Sequence, residues 1–183
     1  MLVHLLTSCP PICSYDRLTP AYAAFLEGLT ATHSATWFHA VAAKLSISLR
    51  TGTRGHPDNS GPELSTVHPV IRTNPVTGWK GIFVNRGFTT RINELSPDES
   101  EQVLEHLYRL VTDNHDLQVR FKWRKNDVAI WGNSSTVHNA TPDYGAQRRV
   151  GDRVVSIGEH PFYDPKSVSR RAALEERAKA GAA

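Results

Sequence analysis

QVRFKWRKNDVAIWGNSSTVHNATPDYGAQRRVGDRV, residues 118–154, is the stretch whose reading decides the fold. Leu117, Val119, Phe121 and Trp123 alternate with Gln118, Arg120 and Lys122, the period of two that a strand with one covered face requires. Lys125-Asn126-Asp127 supplies a turn, after which 128–131 is short, apolar and read as a buried strand. Residues 135–138 read as another strand, Asp143-Tyr144-Gly145 as a turn, and 149–157 (RVGDRVVSI) as the last strand. Short strands separated by turns predict antiparallel pairing in a barrel or sandwich.

Outward from this block the pattern becomes helical. Ser96-Pro97-Asp98-Glu99 opens the clearest helix, with Ser96 as N-cap, Pro97 in the first turn and Glu99 closing a capping box. Val103, Leu104, Leu107, Leu110 and Val111 form its apolar stripe, and Asn114 is a plausible stop. Further upstream, the apolar runs 67–72 and 81–85 flank Asn74-Pro75-Val76-Thr77-Gly78 and predict a β-hairpin. Residues 50–66 are rich in Gly, Pro, Asn and Ser and read as a loop. A helix is expected from Leu18 to about His33, capped by Thr19 with Pro20 in its first turn, and a second over 35–49. The Ala-, Arg- and Glu-rich tail after Ser167 is also compatible with a helix.

Length and composition limit the function classes. The 183 residues fit one domain, and 39% hydrophobic residues suffice for a packed core. No run reaches the roughly 18 apolar residues of a membrane span, so a soluble, cytoplasmic chain with no membrane partner is expected. The net charge of +3 is spread along the sequence, with arginines grouped at 148, 149 and 153 and at 170, 171 and 177. A nucleic-acid binder shows a denser basic stripe with interleaved aromatics, so nucleic acid is not expected as a partner. Cys9 and Cys13 make neither a disulfide framework nor a four-ligand zinc site and read as thiols in a reducing compartment. MLVHLLTSCPPICS lacks the basic start and the apolar length of a signal peptide, and Pro10 and Pro11 interrupt it, so residues 1–13 are expected to be irregular.

Three side chains near the end of the chain could carry chemistry. They are His138, at the end of its short strand, and Arg149 and Arg153, four residues apart on the last one. Alternation would place both arginines on one face of that strand. Arginines turned into a barrel need anionic partners, because an unpaired buried charge is costly, and the guanidinium fork suits carboxylate or sulfonate. Each feature alone is weak, since strand histidines are commonly hydrogen-bonded core residues and arginines are mostly solvated.

The segments HPVIRTNPVTGWKGIFVN (68–85), GFTTRINELSPDESEQVLEHL (87–107) and residues 118–154 occur in the order and spacing of the taurine/sulfonate dioxygenases, the TauD/TfdA-like family that depends on Fe(II) and 2-oxoglutarate. SYDRLTPAYAAFLEGLTATH (14–33) resembles the helix that precedes them in that family. The most specific element is Ile130-Trp131-x-Asn133-x4-His138, followed by Asp143-Tyr144 and the paired arginines. The resemblance covers 14–163, leaving 164–183 as a C-terminal tail. It implies a mainly β, double-stranded β-helix (jelly-roll) core with flanking helices, incomplete on its N-terminal side.

By the same resemblance, His138 is the distal histidine ligand of a 2-His-1-carboxylate iron site. Arg149 grips the distal carboxylate of 2-oxoglutarate. Arg153 pairs with the anionic group of a small substrate such as taurine or another sulfonate. Phe88 lines the substrate pocket, and Trp131 and Asn133 are wall or supporting residues. The implied reaction hydroxylates the substrate, releasing succinate, CO2 and, from a sulfonate, sulfite. A homo-oligomer is compatible with this reading.

The family's proximal H-x-D ligands are expected on a strand before the 14–33 segment, where this sequence offers almost nothing. The H-x-D string His56-Pro57-Asp58 lies in the Gly/Pro loop instead and reads as a turn. A working dioxygenase, an inactive fragment of one, and an anion-binding module of the same fold all remain compatible with the sequence. The second predicts exposed strand edges and apolar surface, and hence self-association.

Overall fold

The elements run β1 (Val3–Thr7), α1 (Pro10–Tyr15), α2 (Pro20–Glu27), β2 (Thr30–Ser34), α3 (Thr36–Leu45), β3 (Ser65–Pro69), β4 (Ile71–Thr73), β5 (Lys80–Ile82), β6 (Thr89–Ile92), α4 (Pro97–Thr112), β7 (Gln118–Lys122), β8 (Val137–Ala140) and α5 (Arg170–Gly181). These are the elements of the computed structural model, which describes residues 3–7, 10–49, 51–61, 64–140, 145–146 and 150–181. Cys9 and Arg149 lie outside the described residues. The strands form three small antiparallel sheets, ordered β7-β1-β8, β3-β2-β6 and β4-β5. The result is a mixture of helix and strand, less β-rich than the sequence suggested.

The α4 helix starts as its sequence predicts. The Ser96 side chain accepts from the Glu99 N–H, and the Glu99 carboxylate accepts from the Ser96 N–H at 3.0 Å. Leu104, Leu107, Tyr108 and Val111 face inward from it. They meet Leu26 of α2 and Ile71, Ile82 and Ile92 of the sheets, all almost wholly buried, in one apolar cluster. Under this cluster α1 packs on β5. A Cβ at Gly81 would come within 3.2 Å of the Ile12 side chain, so the small residue permits the close approach. Ser14, buried where α1 meets α4, donates from its hydroxyl to the Leu110 carbonyl at 2.9 Å, satisfying both polar groups.

Several expectations are corrected. The helix read to His33 ends at Glu27 with Gly28 as its cap, and Thr30–Ser34 becomes the central strand β2. β-Branched Thr30 and Thr32 suit that strand better than a helix. The segment read as irregular contains β1, central in its own sheet, and Pro10 begins α1 because the first turn of a helix needs no N–H there. The expected hairpin divides at Val70. β3 joins β2, whereas β4 alone pairs with β5 around an Asn74 turn whose side chain accepts from the Val76 and Thr77 N–H groups at 3.0 Å. Strand β6, over Thr89–Ile92, was not anticipated.

Neither 128–131 nor the described part of 149–157 is a strand. Ile130 is 94% exposed and Val154 97% exposed. Their apolar pattern has found no opposing strand to pair with among the described residues, and a strand without a ladder is not a stable element. Packing is therefore graded, dense around α2, α4 and β4–β6, and sparse along the described residues of 118–158.

Candidate functional site

His138 sits on β8, opposite Leu6 of β1, so the sheet fixes its backbone. Trp131 packs against it with ring centroids 5.2 Å apart. The Trp131 indole N–H donates to the Asn133 carboxamide at 3.1 Å, and the Thr136 hydroxyl donates to the Gly132 carbonyl at 2.8 Å, which folds the 131–136 turn under the imidazole. Trp131 thus stands against His138, with Asn133 bonded to Trp131. Burial lowers the His138 pKa, and the nearby Arg153 cation lowers it further. Both effects favour the neutral imidazole, the form that can bind metal.

Arg153 is exposed and lies in a segment without strand pairing. The argument that strand alternation aims it and Arg149 inward therefore loses its basis, although Arg153 does lie close enough to act electrostatically on His138. Phe88 precedes β6 and meets Phe38 at 5.4 Å, which in turn meets Trp37 at 5.1 Å, a partly exposed aromatic patch at the start of α3. His56-Pro57-Asp58 falls in a short 3-10 turn, Pro57–Asn59, of the loop. Among the described residues no three His, Cys, Asp or Glu side chains are grouped to hold a metal ion.

The sequence reading missed a second cluster. His68 of β3 meets His33 of β2 at 5.3 Å and His160 at 4.8 Å. Phe83 stacks on His33 at 5.4 Å, and the Arg72 guanidinium lies 5.1 Å from the Phe83 centroid. Burial drives His33 down to about 4, with the neighbouring His68 adding to the effect; His68 is lowered by burial, His160 and Arg72. Arg72, 6% exposed, forms an ion pair with Glu159. The three histidines are far apart in sequence. Only the β2–β3 register, which the sequence did not disclose, sets His68 opposite Ala31 and so diagonal to His33.

A family model described as taurine catabolism dioxygenase TauD, TfdA family matches residues 14–155. The chain belongs to this family. An alpha-ketoglutarate-dependent dioxygenase of Penicillium shearii is 44% identical over 163 residues, covering 88% of this chain and 43% of the relative. One from Aspergillus oryzae is 44% identical over 167 residues, covering 90% and 49%. The alpha-ketoglutarate-dependent sulfonate dioxygenase of Saccharomyces cerevisiae is 33% identical, covering 84% and 35%. This TauD/TfdA chain thus spans less than half the length of these relatives. A taurine dioxygenase from Burkholderia xenovorans superposes with TM-score 0.57 at 29% identity, covering 76% of this chain and 41% of that one. AAD-2, solved with Mn(II) and N-oxalylglycine, gives TM-score 0.62 at 20% identity over 81% and 54%, a likeness of fold.

Proposed function

We propose that this chain supplies the distal histidine and the anion-gripping arginines of a 2-oxoglutarate-dependent dioxygenase that hydroxylates a small anionic substrate such as taurine or another sulfonate, releasing succinate, CO2 and sulfite. The observation that carries the reading is His138, held on β8 against Trp131, within a chain that matches the family over 14–155. In this proposal Arg149 holds the distal carboxylate of 2-oxoglutarate, Arg153 the anionic group of the substrate, and Phe88 the substrate's apolar part. The names of the sulfonate dioxygenase relative and the taurine dioxygenase neighbour favour a sulfonate.

Enzymes of this family use Fe(II) and 2-oxoglutarate. The arginines suit the dicarboxylate. The donor set suits the metal poorly, because His138 has no grouped imidazole, thiolate or carboxylate partners among the described residues. No chemical step is therefore assigned to the chain by itself. That same lone histidine favours a second reading, an anion-binding module or inactive member of the fold.

Anaerobic titration with Fe(II) and 2-oxoglutarate separates the two. A visible charge-transfer band that disappears in His138→Ala supports the dioxygenase reading. Absence of the band from folded protein refutes it, and retained 2-oxoglutarate binding without iron then identifies the module.

A further inference from the structure

Residues 159–169 form neither helix nor strand, apart from a single parallel bridge between Val168 and Trp79. They are nevertheless fastened along β4 and β5. The Thr73 N–H donates to the Phe162 carbonyl at 2.8 Å, and the Asp164 N–H donates to the Thr73 hydroxyl at 2.9 Å. The Lys80 N–H donates to the Val168 carbonyl at 2.9 Å, and the Tyr163 hydroxyl donates to Glu27 at 2.6 Å. A segment with no ladder of its own stays only as long as such separate ties hold it.

Its first tie is made in a cluster rich in groups that carry or can gain positive charge. Glu159 pairs with Arg72, and the exposed His160 ring lies 4.8 Å from His68. His68 also faces His33 at 5.3 Å and the Arg72 cation. Phe83 sits among them, 5.4 Å from His33, 5.7 Å from His68 and 5.1 Å from the Arg72 guanidinium carbon. His33 further meets the Thr89 hydroxyl of β6 through Nδ1 at 3.3 Å, and His160 Nδ1 lies 3.1 Å from the Pro161 carbonyl. The carboxylate in this group, Glu159, is already taken by Arg72.

Neither inner ring is prepared for a proton. His33 Nε2 and His68 Nδ1 are buried without a hydrogen-bond partner, whereas an imidazolium needs an acceptor at each nitrogen. A charge gained at His68 would also stand beside Arg72 and His160. β2, β3 and β4 are each held in a ladder, so the exposed His160 side is the one free to yield.

We propose that His33, His68 and His160, with Arg72 and Glu159, form a pH-sensitive clasp that holds residues 159–169 against β4 and β5 at neutral pH and releases them on acidification. The direction follows from linkage. Burial, His160 and Arg72 lower His68 in the closed form, so the closed form binds fewer protons than the released one and loses ground as pH falls below the ordinary 6.5.

The amides of Thr73, Lys80 and Asp164 read the docking directly, and those of α4 serve as the internal reference. Their hydrogen exchange in the full chain, resolved by NMR and corrected for the intrinsic effect of pH, is followed from about pH 7 to about pH 5. This window lies above the range in which Glu27, held below 4.5, gives up its charge. Protection of the three amides is expected to fall roughly tenfold, the change per pH unit when release takes up one proton, while α4 stays protected. His68→Gln should flatten the fall. His160→Gln, at an exposed position, should make it shallower, and decides the matter alone if His68→Gln does not fold. Constant protection in wild type, a parallel loss in α4, or an undiminished fall in His160→Gln would each overturn the clasp.

Discussion

Glu27 at the end of α2 gives the sharpest test of what holds the packed half together. Its carboxylate accepts from the hydroxyls of Tyr15 and Tyr163 and pairs with the Lys80 ammonium at 2.9 Å. It thereby ties α1, α2, β5 and the C-terminal segment at one point. Glu27→Gln keeps the shape but leaves Lys80, 12% exposed, without its counter-ion. Removing one member of a buried ion pair costs about 3–5 kcal/mol. Residual exposure and the acceptor that Gln retains reduce this to about 2–3 kcal/mol, or roughly 4–12 °C in Tm for a chain of this length.

The pH dependence makes the test specific. Burial alone would raise the Glu27 carboxyl, but hydrogen bonds from Tyr15, Tyr163 and Lys80, with the Lys80 charge, hold it below its ordinary 4.5. A depressed pKa contributes stability that is present above about 4.5 and lost as pH falls through the folded value. Tyr163 is pushed up to about 12 by burial and by Glu27, and Tyr15 is raised as well. Raised pKa values contribute stability present below the ordinary 10.0 and lost as pH rises beyond it. Thermal melts across pH should therefore show both losses in wild type and smaller ones in Glu27→Gln. A variant that melts within a degree or so of wild type, or that keeps both limbs of the profile, would refute the hub.

Ser96→Ala should cost about 1 kcal/mol in urea unfolding by removing the α4 capping box, and an unchanged midpoint would show that the cap contributes nothing. Because His33 is depressed to about 4, the unfolded chain takes up protons before the folded one does, so stability should fall as pH drops from 6.5 toward 4. In His33→Gln that fall should be smaller, as unfolding midpoints measured at several pH values would show.

The legible parts of the fold were those specified within a few residues. The α4 start could be read from Ser96 to Glu99 because each group of the capping box finds its partner inside one turn. The Asn74 turn was readable for the same reason. The alternation at 117–123 does fall on β7 and the 135–138 reading overlaps β8, but which strands pair was not legible, because a strand's place is defined by its neighbour. His68-Pro69-Val70-Ile71-Arg72 looks continuous, yet Val70 spans two sheets, donating to the Leu29 carbonyl and accepting from the Phe83 N–H. Thr30–Ser34 lay next to a helical pattern and was absorbed into it until β3 and β6 claimed its two edges. The apolar alternation of 150–157 has the converse problem, since a strand-like sequence with no partner at hand stays unpaired.

The site divides along the same line. His138 was singled out by the resemblance of the 130–138 segment to the family, and in the structure Trp131 packs against it while bonding Asn133. The histidine cluster and Arg72 were invisible because their contacts join residues 33, 68, 72, 83 and 160. Yet a cation 6% exposed cannot be incidental in a chain with so much open surface. Desolvating Arg72 costs several kcal/mol unless a carboxylate answers it, and Glu159, which does, ties the C-terminal segment to β4. The same ion pair thus fastens the chain just beyond the exposed 150–158 segment to the packed core, a tie made across 87 positions that no local pattern of residues could show.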